Sequence, residues 1–441
     1  MRINTPAKCT TFTHEGAPST PLKPIDALRR SVMAHMLWED SFYEDGIAVG
    51  NRIEKLCEQV DELELSSLAL EVHQKGLLRH MPLFLVVQLL KKKNNNAAYV
   101  IEKVCNRPDQ MTELLALYWK DGKKPLAAQL KKGLAKAFVK FDEHRLSKWN
   151  RDSKVKLKDV LFMCHPKPLY DNQPDLWKRL IDGTLATADT WETRLSAGED
   201  KKESFEELLT HGKMGLMAML MNVRNMHDAG VPKHLVAEQM ARKTTPMLPF
   251  KFLAAAAACP AWEDIIDPVM VASAAKKPKL LGHTYLFVDV TGSMDYPLST
   301  KSQMKRMDAA AAFAILLREC CQEVDILTFS DALGHMPPRH GSALKDAIVH
   351  SQPHSGTNLA GALMCFMQNL RGPYDRLIII TDEQINAALP AITAKHKYIL
   401  NVGNYQNGIG TQGGWLTISG FAEASIDYIM EIEGNEESAP G

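Results

Sequence analysis

Two short apolar runs in the last third of the chain are each followed within two residues by an aspartate. Residues 285–288 (Tyr-Leu-Phe-Val) precede Asp289, and residues 377–380 (Leu-Ile-Ile-Ile) with Thr381 precede Asp382. Near-continuous apolar strands of this kind are typical of a parallel sheet that helices cover on both faces. Further predicted strands at 324–329 and 398–402 alternate with predicted helices. The last third therefore predicts an α/β, doubly wound (Rossmann-like) domain.

Polar oxygen donors follow these strands at the edge where such sheets bind ligands. The string 289–293 reads Asp-Val-Thr-Gly-Ser, so alternate side chains can face one point. A Gly-containing loop before a predicted helix adds a hydroxyl, and the second strand adds a carboxylate. The predicted metal ligands are Asp289, Thr291, Ser293, Thr357 and Asp382.

All five donors are oxygens, without His or Cys, which favours a hard divalent ion. We expect Mg²⁺ first, with Mn²⁺ or Ca²⁺ as alternatives. Neutral hydroxyls leave such an ion short of negative charge, so it can keep a water or accept an outside carboxylate. The alternative is that the hydroxyls only cap helices, which Thr357 could do alone.

The first part of the chain has a different pattern. Between residues 22 and 275, apolar positions recur at three- and four-residue spacing, with breaks at Pro and Gly and almost no strand-like alternation. Many short helices without strands predict a stacked helical-repeat architecture. No clear sequence period accompanies them, so the prediction rests on the number of helices.

The net charge of zero hides an asymmetry between these two parts. Residues 1–281 carry 42 Lys and Arg against 35 Asp and Glu, whereas residues 282–441 carry 10 against 17. Within the first part, residues 91–158 hold 18 basic and 7 acidic side chains. Such a basic stretch indicates a polyanionic partner.

The chain shows no apolar stretch long enough for a membrane span and no secretory signal at its start. We therefore expect a cytoplasmic protein that does not bind a membrane. The 441 residues suffice for two or more domains.

The donor pattern resembles the metal-ion-dependent adhesion site of von Willebrand A domains. Asp289-Val290-Thr291-Gly292-Ser293, Thr357 and Asp382 match its motif, and Ser330-Asp331 matches another recurrent feature. Thr291 stands where the family usually has Ser, a change that keeps the donor oxygen.

The helical part resembles the TROVE domain of the Ro ribonucleoprotein family. The similar strings, in order, are 36–43, 157–161 with 165–168, 214–226, 248–250 and 420–421. Trp38-Glu39-Asp40 departs from the Gly-rich form of animal members and looks more like a bacterial or phage form.

This resemblance implies a ring of HEAT-like helical repeats that is closed by the A domain and acts as a monomer. It implies binding of small non-coding Y-like RNA on the outer surface and of the 3′ ends of misfolded or unprocessed RNA through the hole. An exoribonuclease such as polynucleotide phosphorylase is an expected partner. Lys148 and His165 match family positions at the Y RNA surface, and Arg151 lies near another. Lys131, Lys132 and Lys136 share one predicted helix and suit phosphate contacts.

The predicted domains are a TROVE helical-repeat domain at 1–275, a linker at 276–281, a von Willebrand A domain at 282–433 and a flexible tail at 434–441. The predicted function is non-catalytic RNA binding in RNA quality control. The alternative is a metal-dependent protein-binding scaffold acting through the A domain. A metallo-nuclease is less favoured, because two-metal hydrolytic sites usually need more carboxylates than Glu383 would add.

Overall fold

The structure is a computed structural model. It describes residues 11–19, 22–34, 46–75, 78–245, 247–298, 303–403, 405, 408–409, 412–420 and 424–437. The resembling string at 36–43, with Trp38-Glu39-Asp40, lies outside the described residues, as does Phe421 of the last string. The chain forms two compact units, one of Met1–Gly50 with Gly215–Gly441 and one of Asn51–Met214.

The second unit is built from helices. Those lying wholly or mostly within it are α2 (Gly46–Gln59), α3 (Glu62–Gln74), α4 (Met81–Lys91), α5 (Ala97–Val104), α6 (Pro108–Tyr118), α7 (Ala128–Phe138), α8 (Glu143–Trp149), α9 (Leu157–Cys164), α10 (Gln173–Asp182), α11 (Trp191–Ser196) and α12 (Lys201–Thr210).

These helices stack as a repeat. Along one layer α3 packs on α5, α5 on α7 and α7 on α9, and in the other layer α4 packs on α6. Packing between every second helix is the arrangement of helical-repeat proteins. The predicted helical-repeat architecture is thus confirmed at the level of neighbouring helices.

The first unit also contains helices from both ends of the helical part. They are α1 (Pro24–Ala34), α13 (Leu216–Asp228), α14 (Lys233–Arg242), α15 (Pro249–Ala258) and α16 (Glu263–Ala274). A two-stranded hairpin of β1 (Thr11–Phe12) and β2 (Pro18–Ser19) precedes α1.

The rest of the first unit is a six-stranded sheet with its helices. The strands are β3 (Leu280–Asp289), β4 (Cys321–Phe329), β5 (Leu333–His335), β6 (Tyr374–Thr381), β7 (Ala394–Asn401) and β8 (Leu416–Ser419). The helices are α17 (Arg306–Cys320), α18 (Gly341–Val349), α19 (Leu359–Asn369) and α20 (Ala424–Glu437).

The strand order is β5-β4-β3-β6-β7-β8, and every pair is parallel except β4 with β5. The side chains at 286–289 of β3 and at 376–381 of β6 are all buried, in agreement with the apolar runs of the sequence. One face of the sheet packs Phe287, Ile379 and Ile399 against Leu363 and Phe366 of α19. The predicted α/β doubly wound fold is confirmed.

Two element boundaries differ from the predicted domain limits. The first strand begins at Leu280, inside the predicted linker 276–281, and α20 extends to Glu437, past the predicted start of the tail at Gly434. The two compact units also do not coincide with the predicted domain boundaries, because α15 and α16 pack on α17 and α16 also packs on α18. No helix among the described residues is long and apolar enough to cross a membrane.

Candidate metal centre and nucleic-acid interface

The two aspartates of the predicted metal site lie at one edge of the sheet. Strands β3 and β6 are parallel neighbours, and their register pairs Val288 with Ile380. Asp289 therefore ends β3 and Asp382 directly follows β6, at the carboxyl edge of two adjacent strands, and both side chains are fully buried. The predicted metal site requires that these two strands be neighbours, and they are.

The loop after β3 places two hydroxyls beside the first aspartate. The Thr291 N–H donates to Asp289 Oδ1 at 2.9 Å, and Thr291 Oγ1 lies 3.3 Å from Ser293 Oγ. Thr291 precedes a short 3₁₀ helix, Gly292–Asp295, but its side chain makes no capping hydrogen bond. Helix capping therefore does not account for the Thr291 hydroxyl, whose role as a ligand stays a prediction.

The Thr357 loop packs against this turn. The Gly292 N–H donates to the Ser355 carbonyl at 3.2 Å, and the Ser355 N–H donates to Ser330 Oγ at 3.0 Å. Asn358 caps α19 by accepting from the Gly361 N–H, so helix capping does not account for Thr357. Thr357 itself is half-buried between these anchored residues.

Two residues that the sequence analysis did not single out donate hydrogen bonds to the two aspartates. The Arg306 guanidinium, at the start of α17, donates to Asp382 Oδ2 at 3.2 Å and is 2% exposed. Thr381 donates through Oγ1 to Asp289 Oδ2. No local sequence pattern indicates these two contacts, because Arg306 lies 76 positions from Asp382 and Thr381 lies 92 positions from Asp289.

The electrostatics of the site favour a cation. Burial, and next the nearby Asp382 carboxylate, raise the pKa of Asp289 to about 7. Arg306 offsets one of the two carboxylate charges, which leaves one negative charge when both aspartates are ionised. A divalent ion would bring the site to a net positive charge.

The donor set also fits Mg²⁺ chemically, because carboxylates and hydroxyls are hard oxygen ligands. Among the described residues, no three His, Cys, Asp or Glu side chains cluster closely enough to hold a metal by themselves. Any ion here would thus depend on the hydroxyls of Thr291, Ser293 and Thr357. The ligand set stays a prediction.

The predicted phosphate-binding lysines lie on the solvent side of α7. Lys131, Lys132 and Lys136 are exposed, while Leu134 and Phe138 are buried. The inner side is fixed by close packing on α5: a Cβ on Gly133 would lie 2.6 Å from Ile101 Cβ. Lys136 also lies 3.6 Å from the Glu102 carboxylate.

Two further predicted RNA contacts meet at one indole. The Arg151 guanidinium lies 4.8 Å from the Trp149 ring centroid, and the Lys148 ammonium lies 5.7 Å from it. Arg107, which the sequence did not single out, is closer still at 4.3 Å. Asp109 pairs with Arg107 and Glu192 with Lys148, whereas Arg151 is exposed. We call Arg107, Lys148, Trp149 and Arg151 the Trp149 cluster.

His165 ends α9 as its C-cap. It adopts a left-handed conformation with φ of 47°, and its N–H donates to the Leu161 carbonyl at 3.1 Å. Its backbone therefore ends the helix, while its side chain is exposed. Phe162 and Tyr170 nearby are also exposed, at 54% and 66%.

Comparison with known proteins identifies both parts. Residues 178–264 match the TROVE domain model, and residues 283–403 match the Ro60 vWA domain model. The chain carries the two domains of a Ro-type protein. All five predicted metal ligands lie within the vWA match, whereas the predicted RNA contacts at 131–165 precede the TROVE match.

Solved structures give the same fold. The Ro (RSR) protein of Deinococcus radiodurans is similar with a TM-score of 0.63 and 15% sequence identity, over 92% of this chain and 98% of that one. A search of curated proteins returned no match. The predicted fold, helical repeats followed by an α/β domain, is confirmed. The closure of the helical repeats into a ring stays a prediction.

Proposed function

We propose that this Ro-type protein is a non-catalytic RNA-binding protein of RNA quality control. Its two domains support RNA binding of the Ro type. The finer proposal is that it binds small Y-like RNA on the exposed side of α7–α9, and the 3′ ends of misfolded or unprocessed RNA. We further propose a monomeric cytoplasmic ring that cooperates with an exoribonuclease such as polynucleotide phosphorylase.

The observation that carries this proposal is the Trp149 cluster. Three cations around one partly exposed indole combine phosphate attraction with an aromatic surface, and both features are typical of proteins that bind single-stranded nucleic acid. The exposed Phe162 within α9, and the exposed His165 and Tyr170 after it, add further aromatic side chains to this part of the chain. The excess of positive charge in residues 91–158 supplies the long-range attraction.

A salt series tests the proposal. Filter binding with a stem-loop RNA that has a single-stranded 3′ end should show affinity that falls steeply as salt rises, because phosphate contacts release counterions. The double variant Lys148→Ala/Arg151→Ala should bind more weakly and lower the salt slope by about 2. Lys178→Ala/Lys201→Ala removes two exposed lysines elsewhere and is the matched control. Weak binding that does not change with salt would refute the proposal.

We propose that the vWA site binds Mg²⁺ and does not hydrolyse RNA. Glu383 would be the additional carboxylate for a two-metal site, but it is buried and paired with Arg30 at 2.7 Å. The ion would supply Lewis acidity toward an outside carboxylate, which is the chemistry of a docking site. Calorimetry should show a Mg²⁺ site that Asp289→Asn abolishes and that Asp375→Asn, at the opposite end of β6, leaves intact.

A second candidate is a scaffold that grips an acidic protein partner through this ion. The buried Arg306 favours it, because it leaves the loaded site with a net positive charge. An acidic peptide that binds only with Mg²⁺ present, and not to Asp289→Asn, would support the scaffold function. Binding that is unaffected by EDTA would exclude it.

A further inference from the structure

The residues directly after Asp382 contact the beginning of the chain. Arg30 of α1 donates through Nη1 to Glu383 Oε2 at 2.7 Å and through Nε to the Tyr405 carbonyl at 3.0 Å. Arg30 and Glu383 are 4% and 0% exposed. The ion pair thus joins two segments that are 353 positions apart in the sequence.

The hairpin before α1 contacts the next two residues of the same loop. The Thr13 hydroxyl donates to the Ile385 carbonyl at 2.8 Å, and the His14 N–H donates to Gln384 Oε1 at 2.6 Å. Ala17, in the same hairpin, is buried in the apolar core of the sheet with Ile385. Residues 383, 384 and 385 each therefore have a partner in residues 11–34.

The loop adopts a conformation that needs such support. Glu383 has a φ of 60°, in the left-handed region that a residue with a side chain rarely adopts. The Gln384 N–H donates to Asp382 Oδ1 at 3.1 Å, so the path of the backbone through 383 and 384 sets the orientation of the Asp382 carboxylate. The backbone at Gly408 covers the ion pair so closely that a Cβ there would overlap Glu383.

The Arg30–Glu383 pair is poorly suited to a purely stabilising role. Arg30 Nη2 and Glu383 Oε1 are buried, and neither has a hydrogen-bond partner among the described residues. A buried ion pair with unsatisfied atoms recovers little of its desolvation cost, so it contributes weakly to net stability. Its geometric effect is specific, since it holds one loop at one place.

We propose that the hairpin at 11–19 and helix α1 form a positioning element of the vWA metal site, with Arg30 as the principal positioning residue for the Asp382 loop. This inference rests on the proposed Mg²⁺ site for its functional consequence. The element acts by holding residues 383–385, and through Gln384 it orients Asp382. Within the described part of the chain, the hydrogen bonds of Arg30 go to Glu383 and Tyr405 and not to a predicted ligand.

The test uses the full chain with two measurements. Hydrogen exchange in EDTA reports the order of residues 381–385 without metal, and calorimetry reports Mg²⁺ affinity. Arg30→Met keeps the aliphatic stem and removes the charge. We expect faster exchange at 383–385 and Mg²⁺ binding weaker by about tenfold or more, which is the size of effect that a residue supporting a ligand has.

A double variant separates positioning from the cost of an unpaired charge. In Arg30→Met/Glu383→Gln no buried carboxylate is left unpaired, but the ion pair that holds residue 383 is still absent. Exchange should therefore stay faster, and Mg²⁺ affinity lower, than in the parent protein, whereas a return of both to the parent values would overturn the positioning role and assign the change to the unpaired charge. Arg29→Met is the matched control, because Arg29 pairs with Asp26 on the exposed side of the same helix. If Arg30→Met does not fold, Thr13→Val removes the bond to Ile385 and should give the same two changes at smaller size.

Unchanged exchange at 383–385 and unchanged Mg²⁺ affinity in Arg30→Met would overturn the positioning role. A parent protein that binds no Mg²⁺ would instead refute the proposed metal site. Exchange in EDTA would still decide the positioning role in that case, with faster exchange supporting it and unchanged exchange overturning it.

Discussion

At the scale of single residues, the candidate metal centre depends on where hydroxyls and charges lie relative to two buried aspartates. Thr291 and Ser293 are 3.3 Å apart at their oxygens, and Arg306 binds the Asp382 carboxylate. Burial of like charges is unfavourable unless a cation or a hydrogen bond compensates. The Arg306 guanidinium offsets one of the two carboxylate charges, and a bound divalent ion would offset the other.

The first prediction concerns Thr291, which replaces the usual Ser of the family motif. Thr291→Ser keeps the hydroxyl, so Mg²⁺ affinity measured by calorimetry should stay within about threefold of the parent protein. Thr291→Val keeps the shape and removes the oxygen, so affinity should fall by about tenfold or more, at least the loss seen when a residue that supports a ligand is removed. Equal affinities in the two variants would show that Thr291 is not a ligand.

At the scale of elements, α7 shows how one helix serves packing and charge together. Its inner side approaches α5 so closely that only Gly fits at position 133, where a Cβ would also lie 2.9 Å from the Ala98 carbonyl. The outer side presents the three lysines to solvent. The close approach on one side therefore determines which side chains can meet RNA.

The second prediction tests that approach. Ala is favoured over Gly within a helix by about 1 kcal/mol, whereas overpacking costs about 1–3 kcal/mol. Since the contacting atoms at Gly133 are a Cβ and a backbone oxygen, overpacking should prevail and Gly133→Ala should lower the free energy of unfolding by about 1 kcal/mol. Urea denaturation measures this. Gly434→Ala, inside α20 where a Cβ meets nothing within 4 Å, is the control and should be neutral or slightly stabilising.

The third prediction tests the outer side of α7. Replacing Lys131, Lys132 and Lys136 by Gln should weaken binding of all RNAs to a similar degree and lower the salt slope by about 2–3, because phosphate contacts carry no sequence information. Filter binding at several salt concentrations measures both quantities. A loss confined to one RNA sequence would argue against phosphate contacts.

At the scale of the whole molecule, both ends of the chain contribute to the unit that holds the sheet. The N-terminal hairpin and α1 join it through Arg30 and Ala17, and α13–α16 join it before the sheet begins. Asp267 of α16 accepts from the Ser342 N–H at 2.6 Å at the start of α18. The packing is therefore continuous from α16, which precedes the sheet, to α18 of the vWA domain.

The fourth prediction tests this continuity at Gly341, which has a φ of 54° and would overlap Asp267 if it carried a Cβ. Gly341→Ala should lower the free energy of unfolding by about 2–4 kcal/mol from strain and overlap together. Gly230→Ala has the strain alone, since its φ is 74° and nothing lies within 4 Å. Thermal denaturation should show a larger loss of stability for Gly341→Ala than for Gly230→Ala. Equal losses would show that overlap with Asp267 does not contribute.

Local patterns predicted most of the sheet because inner parallel strands need continuous apolar runs, which residues 285–288 and 377–380 supply. They did not predict β5, α18 or β8. β5 and β8 have only three and four residues, too few for a period to show. The donors at Asp289 and Asp382 were predictable because the carboxyl edge of such a sheet is a known ligand position.

By itself, the sequence determined which residue types follow each strand, where positive charge is concentrated, and that helices precede a sheet. These depend on neighbours in the chain. Only the tertiary structure decided that Arg306 offsets Asp382, that Arg107 joins Trp149, and that Arg30 holds Glu383. Those contacts span tens to hundreds of positions, and burial makes them energetically significant only after the chain has folded.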